Sequence, residues 1–363
     1  MPERFDIAVV GGGAAGLVAA VSGARRGAAV TVLERLPRAG KKLLATGGGR
    51  CNLLNENLAA PAFTSSDPGL VASVLDRFGK AEIRAFFEGL GLRLQTEEDG
   101  RVYPATNQAS SVLKVLELEA GRLGIPVESG FEASGLAASC GGFSVASAVG
   151  RTVEAGAVVL AGGGKSYPAL GANGSCYALA GRFGHSLVPP VPSAVPLLVK
   201  DGMCHFLQGQ KLRVRIDSLV DGQVGRTAEG ELLFTQYGLS GTAALDVSES
   251  LSIAINREGT KDTAVIVDLV PFMSEEDLAA ELSRRMEAGW SAKDFGAGLL
   301  PEKFALVMPQ FVRDAGASSR KGSRAGAARR LAAALKARKF AVQGTRGWNE
   351  AEFTSGGVDA REV

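Results

Sequence analysis

The chain has 363 residues, 46% of them hydrophobic, and 40 basic side chains face 38 acidic ones. That length can bury a substantial core and predicts two or three domains. The near-balance of charge excludes a global field built to attract nucleic acid or an anionic membrane.

No apolar run approaches the roughly 20 residues of a membrane helix. "MPERFD" leads straight into a strand and leaves no room for a signal peptide, so a cytoplasmic location is expected. The cysteines are Cys51, Cys140, Cys176 and Cys204, without a C-x-x-C pair, and the only histidines are His185 and His205. Zinc sites, local redox pairs and histidine triads are therefore not expected, and no metal is assigned.

The first predicted element is a strand at residues 7–10. It meets Gly11-x-Gly13-x-x-Gly16 and then a helix carrying Leu17, Val18, Ala20, Val21 and Ala24. In the dinucleotide fingerprint the first glycine makes the tight turn and the second admits a pyrophosphate. The third lets the helix pack on the sheet. The helix start offers free N–H groups and a positive dipole end to the phosphates. A second strand, "AAVTVLER", ends in Glu34, where a carboxylate can accept hydrogen bonds from ribose hydroxyls. Glu34 could equally be an ordinary solvated strand end, but the order strand, glycine turn, helix, strand, acid favours nucleotide binding.

"RAGKKLLATGGGRCNLLN" follows as a basic, glycine-rich loop. Residues 71–91 and 108–123 have helical period, the latter with Val112, Val115, Leu116 and Leu118 around an apolar face. A small antiparallel meander is predicted over residues 131–155, then a buried strand in "GAVVLAGGG". "GGGKSY" looks like a phosphate loop, but a Walker motif needs glycine where Val159 stands, so that reading is excluded.

Proline-rich "PPVPSAVPLLV" predicts a crossing between domains. "KLRVRI" places Leu212, Val214 and Ile216 on one face of a strand, and "GELLFTQYGLSG", "SLSIAIN" and "TAVIVDLVP" continue a strand-and-turn pattern. A small β-barrel or sandwich is expected there. Ser274 then caps a helix with Leu278, Leu282 and Met286 at i, i+4, i+8 spacing. Residues 313–339 hold nine basic side chains and one acid, Asp314. They suit phosphate or RNA contact, or else a loop and a solvated helix with Leu331 and Leu335 inward. The second reading is favoured, because no aromatic side chain is interleaved for base stacking.

Five ordered stretches, from "GKKLLATGGGRCNLLN" through "VYPATNQASSVL", "LAGGGKSYPALGANG" and "GELLFTQYGLSG" to "TRGWNEAEFTSGGV", join the first glycine turn. Together they resemble the aminoacetone-oxidase-family FAD-binding enzymes, BaiN-type flavoprotein oxidoreductases that include bacterial bile-acid flavin reductases. The resemblance runs from residue 8 to residue 358.

It implies an α/β fold: an FAD-binding Rossmann-like domain of glutathione-reductase type, with the meander, plus an inserted β-barrel and a small helical subdomain. The expected parts are 1–190 and 341–363 for the FAD domain, 191–271 for the barrel-like insert, 272–325 for a helical insert and 326–340 for a return segment. It further implies that Gly11, Gly13, Ala14, Ala15 and Gly16 surround the pyrophosphate, with Glu34 and Arg35 at the adenosine ribose. Lys41 and Lys42 would offset phosphate charge. Thr46, Gly47, Gly48 and Gly49 would let the backbone approach the flavin or ribityl chain, with Arg50, Cys51 and Asn52 at the flavin edge. Ala133 would contact adenine, Ala161, Gly162 and Gly163 the adenosine half, and Thr354, Gly356 and Gly357 the planar ring. Cys51 has no second cysteine nearby, so packing is favoured over a redox thiol. A further strand and a Gly-Gly-Tyr-Asn stretch are expected after "TSGGV", whereas the sequence given stops at Val363.

The expected function is FAD-dependent hydride transfer to or from a small organic substrate held between flavin and insert, with NAD(P)H a candidate electron donor. No membrane or nucleic-acid partner is expected. No general base is assigned, since Arg50, Tyr237 and Thr354 are more readily structural. The alternatives are an NAD-dependent dehydrogenase, which the meander disfavours, and a non-catalytic nucleotide-binding or RNA-associated protein.

Overall fold

A computed structural model describes residues 4–316 and 323–363. The chain divides into two compact units, one running up to Pro189 together with Gly356–Val363, the other Pro190–Ser355. Among the described residues no helix is long and apolar enough to cross a membrane.

The first unit contains β1 (Arg4–Val10), α1 (Ala14–Ala24), β2 (Val30–Glu34), β3 (Leu54–Asn55), α2 (Pro68–Arg77) and α3 (Lys80–Gly89). β4 (Leu94–Thr96), β5 (Arg101–Pro104), α4 (Ala109–Arg122), β6 (Val127–Ser129), β7 (Ala133–Ser139), β8 (Gly142–Ser147), β9 (Thr152–Leu160) and α5 (Ser175–Gly181) follow. Its main sheet has the order β6-β2-β1-β9-β8-β7. β1 is parallel to both β2 and β9, so Ala8, Val9 and Val10 are covered on both faces, which explains their unbroken apolar run. The meander lies where it was expected: β7, β8 and β9 pair antiparallel, and β9 returns beside β1.

The helical stretch read at residues 71–91 is two helices. Asp67 caps α2 by accepting from the Gly69 and Leu70 N–H groups, and Glu82 accepts from Gly79 N–H to start α3. A glycine followed at the third position by a glutamate restarts the helix, a local signal that the apolar periodicity hides. Across the unit, Glu119 of α4 pairs with Arg25 at 2.9 Å and with Arg122 at 2.7 Å, and these bonds hold its carboxyl down from 4.5 to about 2. A depressed folded-state pKa gives stability that is present above the ordinary value and lost as pH falls through the folded one. Acid titration between about pH 4.5 and 2 should therefore destabilise the wild-type protein more than Glu119→Gln, read as the difference in melting temperature. Equal loss in both proteins would remove this pair from the acid response.

The chain leaves the first unit within β10 (Leu187–Ser193) and returns within β18 (Phe353–Val358). The second unit holds β11 (Leu197–Leu198), α6 (Gly202–Phe206), β12 (Lys211–Val220), β13 (Gln223–Thr235), β14 (Gly238–Ser240) and α7 (Thr242–Asn256). It continues with β15 (Thr263–Asp268), α8 (Glu275–Glu287), α9 (Met308–Asp314), α10 (Arg324–Lys336), β16 (Arg338–Ala341) and β17 (Gly344–Thr345). Its strands form one sheet of seven in the order β16-β15-β12-β13-β14-β11-β17.

Three expectations change here. "SLSIAIN" is the end of α7, not a strand. Its alternation competes with a longer run, Ala244, Val247, Leu251 and Ala254, buried at helical spacing. The insert is not divided into barrel, helical part and return segment, because one core joins Ile216 and Phe234 of the sheet to Leu278, Leu282, Leu331 and Leu335 of α8 and α10. Residues 341–355 belong to the second unit rather than to the FAD domain, since β16 and β17 extend its sheet through β15 and β11. As read from the sequence, Ser274 caps α8 through Asp277 N–H, and Leu331 and Leu335 are buried. Residues 317–322 of the basic stretch lie outside the described residues.

Candidate functional site

A cavity of about 560 Å³ opens in the first unit. Its walls come from the β1–α1 turn, the end of β2, the basic loop after it, the start of β7 and the turn after β9. The parallel sheet order places these carboxyl ends side by side, the usual ligand position in such sheets.

The three fingerprint glycines have different structural reasons. Gly11 has φ +111, and a Cβ there would lie 2.5 Å from the Ala161 carbonyl oxygen. Gly16 has the tightest requirement, since a Cβ would sit 1.8 Å from the Gly11 carbonyl oxygen. Gly13 differs from both. It caps α1 in an extended conformation without a side-chain cap, and a Cβ there would meet no protein atom within 4 Å. Its side lies on the cavity wall, where α1 presents unpaired N–H groups.

Glu34 is buried, and both carboxylate oxygens are engaged. Oε2 accepts from Gly12 N–H at 2.7 Å and Oε1 from Leu36 N–H at 2.8 Å. The acid thus also holds the glycine turn, and each oxygen retains a second lone pair for a ligand hydroxyl. Arg35 donates to the Pro168 carbonyl at 3.1 Å and approaches Glu132 at 3.6 Å. Its Nε is buried without a hydrogen-bond partner among the described residues. Lys42 donates to Ser166, and burial lowers its pKa.

Of the residues singled out from sequence, Gly11, Gly13, Ala14, Ala15, Glu34, Arg35, Lys41, Lys42, Thr46, Cys51, Asn52, Ala133, Ala161, Gly162 and Gly163 line this cavity. Gly16 supports it from behind. Gly47, Gly48 and Gly49 do not line it. Their φ values of 56, 65 and 89 place three consecutive residues in the left-handed region, so the loop's own backbone already calls for glycine. Arg50 points elsewhere: it pairs with Glu97, donates to Asn107 at 2.9 Å and stacks 3.9 Å from the Tyr103 ring. Burial pushes the Cys51 thiol up, which opposes a thiolate at neutral pH. Gly356 and Gly357 belong to the first unit outside the cavity wall, with Gly357 held close to the Tyr177 ring, and Thr354 belongs to the second unit.

Sequence reading missed an apolar arm of the cavity formed by Phe78, Ile83, Phe86, Phe87 and Val112, together with Phe131 and Cys176. Phe78, Ile83, Phe86, Phe87 and Val112 fall within the two stretches of helical period, and nothing in that signal separates a core side chain from a cavity wall. Cys176 had a structural cue only in three dimensions, since a Cβ on Gly162 would lie 2.3 Å from its sulfur.

The model of the HI0933-like protein Rossmann domain matches residues 5–363. A 3-dehydro-bile acid delta(4,6)-reductase of Clostridium scindens is 35% identical over 98% of this chain and 87% of its own length. A ribosomal RNA dihydrouridine synthase of Escherichia coli is 28% identical over 99% of this chain and 87% of its own. Among solved structures, a 3-ketosteroid-delta4-(5alpha)-dehydrogenase of Rhodococcus jostii covers 98% of this chain and 84% of its own, at 15% identity and a TM-score of 0.45. Matched along nearly its whole length, the chain belongs to the HI0933-like Rossmann family.

Proposed function

We propose that this chain is an FAD-dependent oxidoreductase of the cytoplasm that acts on a small organic substrate. The observation that carries this reading is Gly13: its open side faces the cavity at an uncapped helix start, beside a carboxylate and a row of cations. That is the donor set a dinucleotide diphosphate and ribose call for. FAD, when bound, supplies hydride transfer at its ring, and the protein contributes position, dryness and local charge. A small substrate is favoured because the relative with the higher identity is named for a bile-acid reductase.

In this reading the N–H groups at the start of α1 bind the diphosphate, and Glu34 orients the ribose. Glu34→Ala should weaken FAD retention by about 1.5 to 3 kcal/mol, the worth of a charged hydrogen bond. It also strips Gly12 N–H of its buried acceptor, so the melting temperature should fall with it. Full retention on dilution, measured by released flavin fluorescence, would remove Glu34 from the ribose.

The decisive experiment is an absorption spectrum of the purified protein, followed by anaerobic addition of NADH or NADPH. Bands near roughly 370 and 450 nm that bleach on reduction are expected. A colourless protein that binds NAD but no FAD would favour the dehydrogenase alternative instead.

A further inference from the structure

Four cations stand in the cavity wall, and the two arginines have carboxylate partners. Arg35 approaches Glu132 and Arg38 pairs with Glu117 at 3.2 Å, whereas Lys41, exposed to water, donates only to the Ala169 carbonyl at 3.4 Å. Lys42 is different. It is half-buried, and among the described residues no carboxylate lies within ion-pair distance of its Nζ. Its partners are neutral: the Ser166 hydroxyl at 2.6 Å and the Ser166 carbonyl at 3.2 Å. A partly desolvated ammonium without a counter-charge is costly, as its lowered pKa reflects, and the cost is recovered when an anion arrives. Ser166 is only 2% exposed and does not itself line the cavity, so it braces Lys42 from behind.

We propose that Ser166 is a positioning residue that aims the Lys42 ammonium into the cavity, making Lys42, and not Lys41, the cation that receives the cofactor's diphosphate. This inference rests on the FAD reading and adds to it a division of labour between adjacent lysines. It also gives "GGGKSY" a role that no phosphate-loop motif describes. The serine holds the lysine through two oxygens of one residue, which restricts the four-carbon stem before the ligand binds and lowers the ordering cost.

The test is equilibrium titration of the full chain, stripped of flavin, with FAD, ADP and adenosine as probes. Lys42→Met should weaken FAD and ADP about 100-fold and leave adenosine unchanged, whereas Lys41→Met, which removes a water-exposed charge, should cost about tenfold less than Lys42→Met does. Ser166→Ala should weaken FAD about 10-fold. The same change made in the Lys42→Met background should cost nothing further, because a positioning residue has nothing left to position. If Ser166→Ala does not fold, Ser166→Cys carries the same comparison. Additive losses, or equal effects of the two lysines, would overturn the assignment. Failure of the wild-type protein to bind either FAD or ADP would instead overturn the flavin reading itself.

Discussion

Gly13→Val should yield a folded protein that no longer holds FAD. Gly13 has φ −75 and ψ −175, a conformation any residue adopts, and a Cβ there meets no protein atom within 4 Å. Replacing glycine by valine at a helix N-cap costs about 1 kcal/mol at most. In the proposed function the added methyl groups stand where the diphosphate would meet the α1 N–H groups. Affinity for FAD should drop at least about 100-fold, or ~2.7 kcal/mol. The readout is the flavin-to-protein ratio after purification, beside a thermal melt. A yellow, stoichiometric Gly13→Val protein would mean that this turn does not cradle the ligand.

Gly16→Val, three residues on, should do the reverse and attack the fold. A Cβ at Gly16 would sit 1.8 Å from the Gly11 carbonyl oxygen and 3.3 Å from Ala161 Cβ. Backbone cannot step aside as a flexible side chain can, so α1 must move off the turn. Overpacking at a contact this close costs about 3 kcal/mol or more, which for a unit of this size lowers the melting temperature by on the order of 10 °C. Circular dichroism melts of the two variants, compared side by side, check it. Should Gly16→Val melt with the wild-type protein, the helix is not held against the turn as described.

The near-unbroken apolar strands and the glycine spacing of residues 7–34 made the first βαβ unit legible, because each step depends on neighbours in sequence. The meander was legible for the same reason, its turns being short and marked by Gly141 and Gly150 at positive φ. The end of α7 was not. Leu251, Ile253 and Ile255 alternate like a strand, and only packing against the sheet selects the helical face. The assignment of residues 341–355 depended on distant pairing, Leu197 with Thr345 and Ala264 with Ala341. No local signal reports such a pairing.

The site divides along the same line. By itself the sequence singled out the glycine turn, the acid at the end of β2 and the lysines of the following loop as candidates, and all three line the cavity because strand ends and the loops after them are placed by local geometry. Only the tertiary structure decided that Gly11 and Gly16 are small for the protein's own sake, while a Cβ at Gly13 would meet no protein atom within 4 Å. It alone engaged Arg50 with Glu97 and Tyr103, and it set Ser166, 124 residues away along the chain, behind Lys42. The physical reason is that a side chain's role follows from what occupies the space beside it. That space is filled by elements brought together when β9 returns to β1, a pairing between residues about 150 positions apart whose free energy comes from burial on both sheet faces.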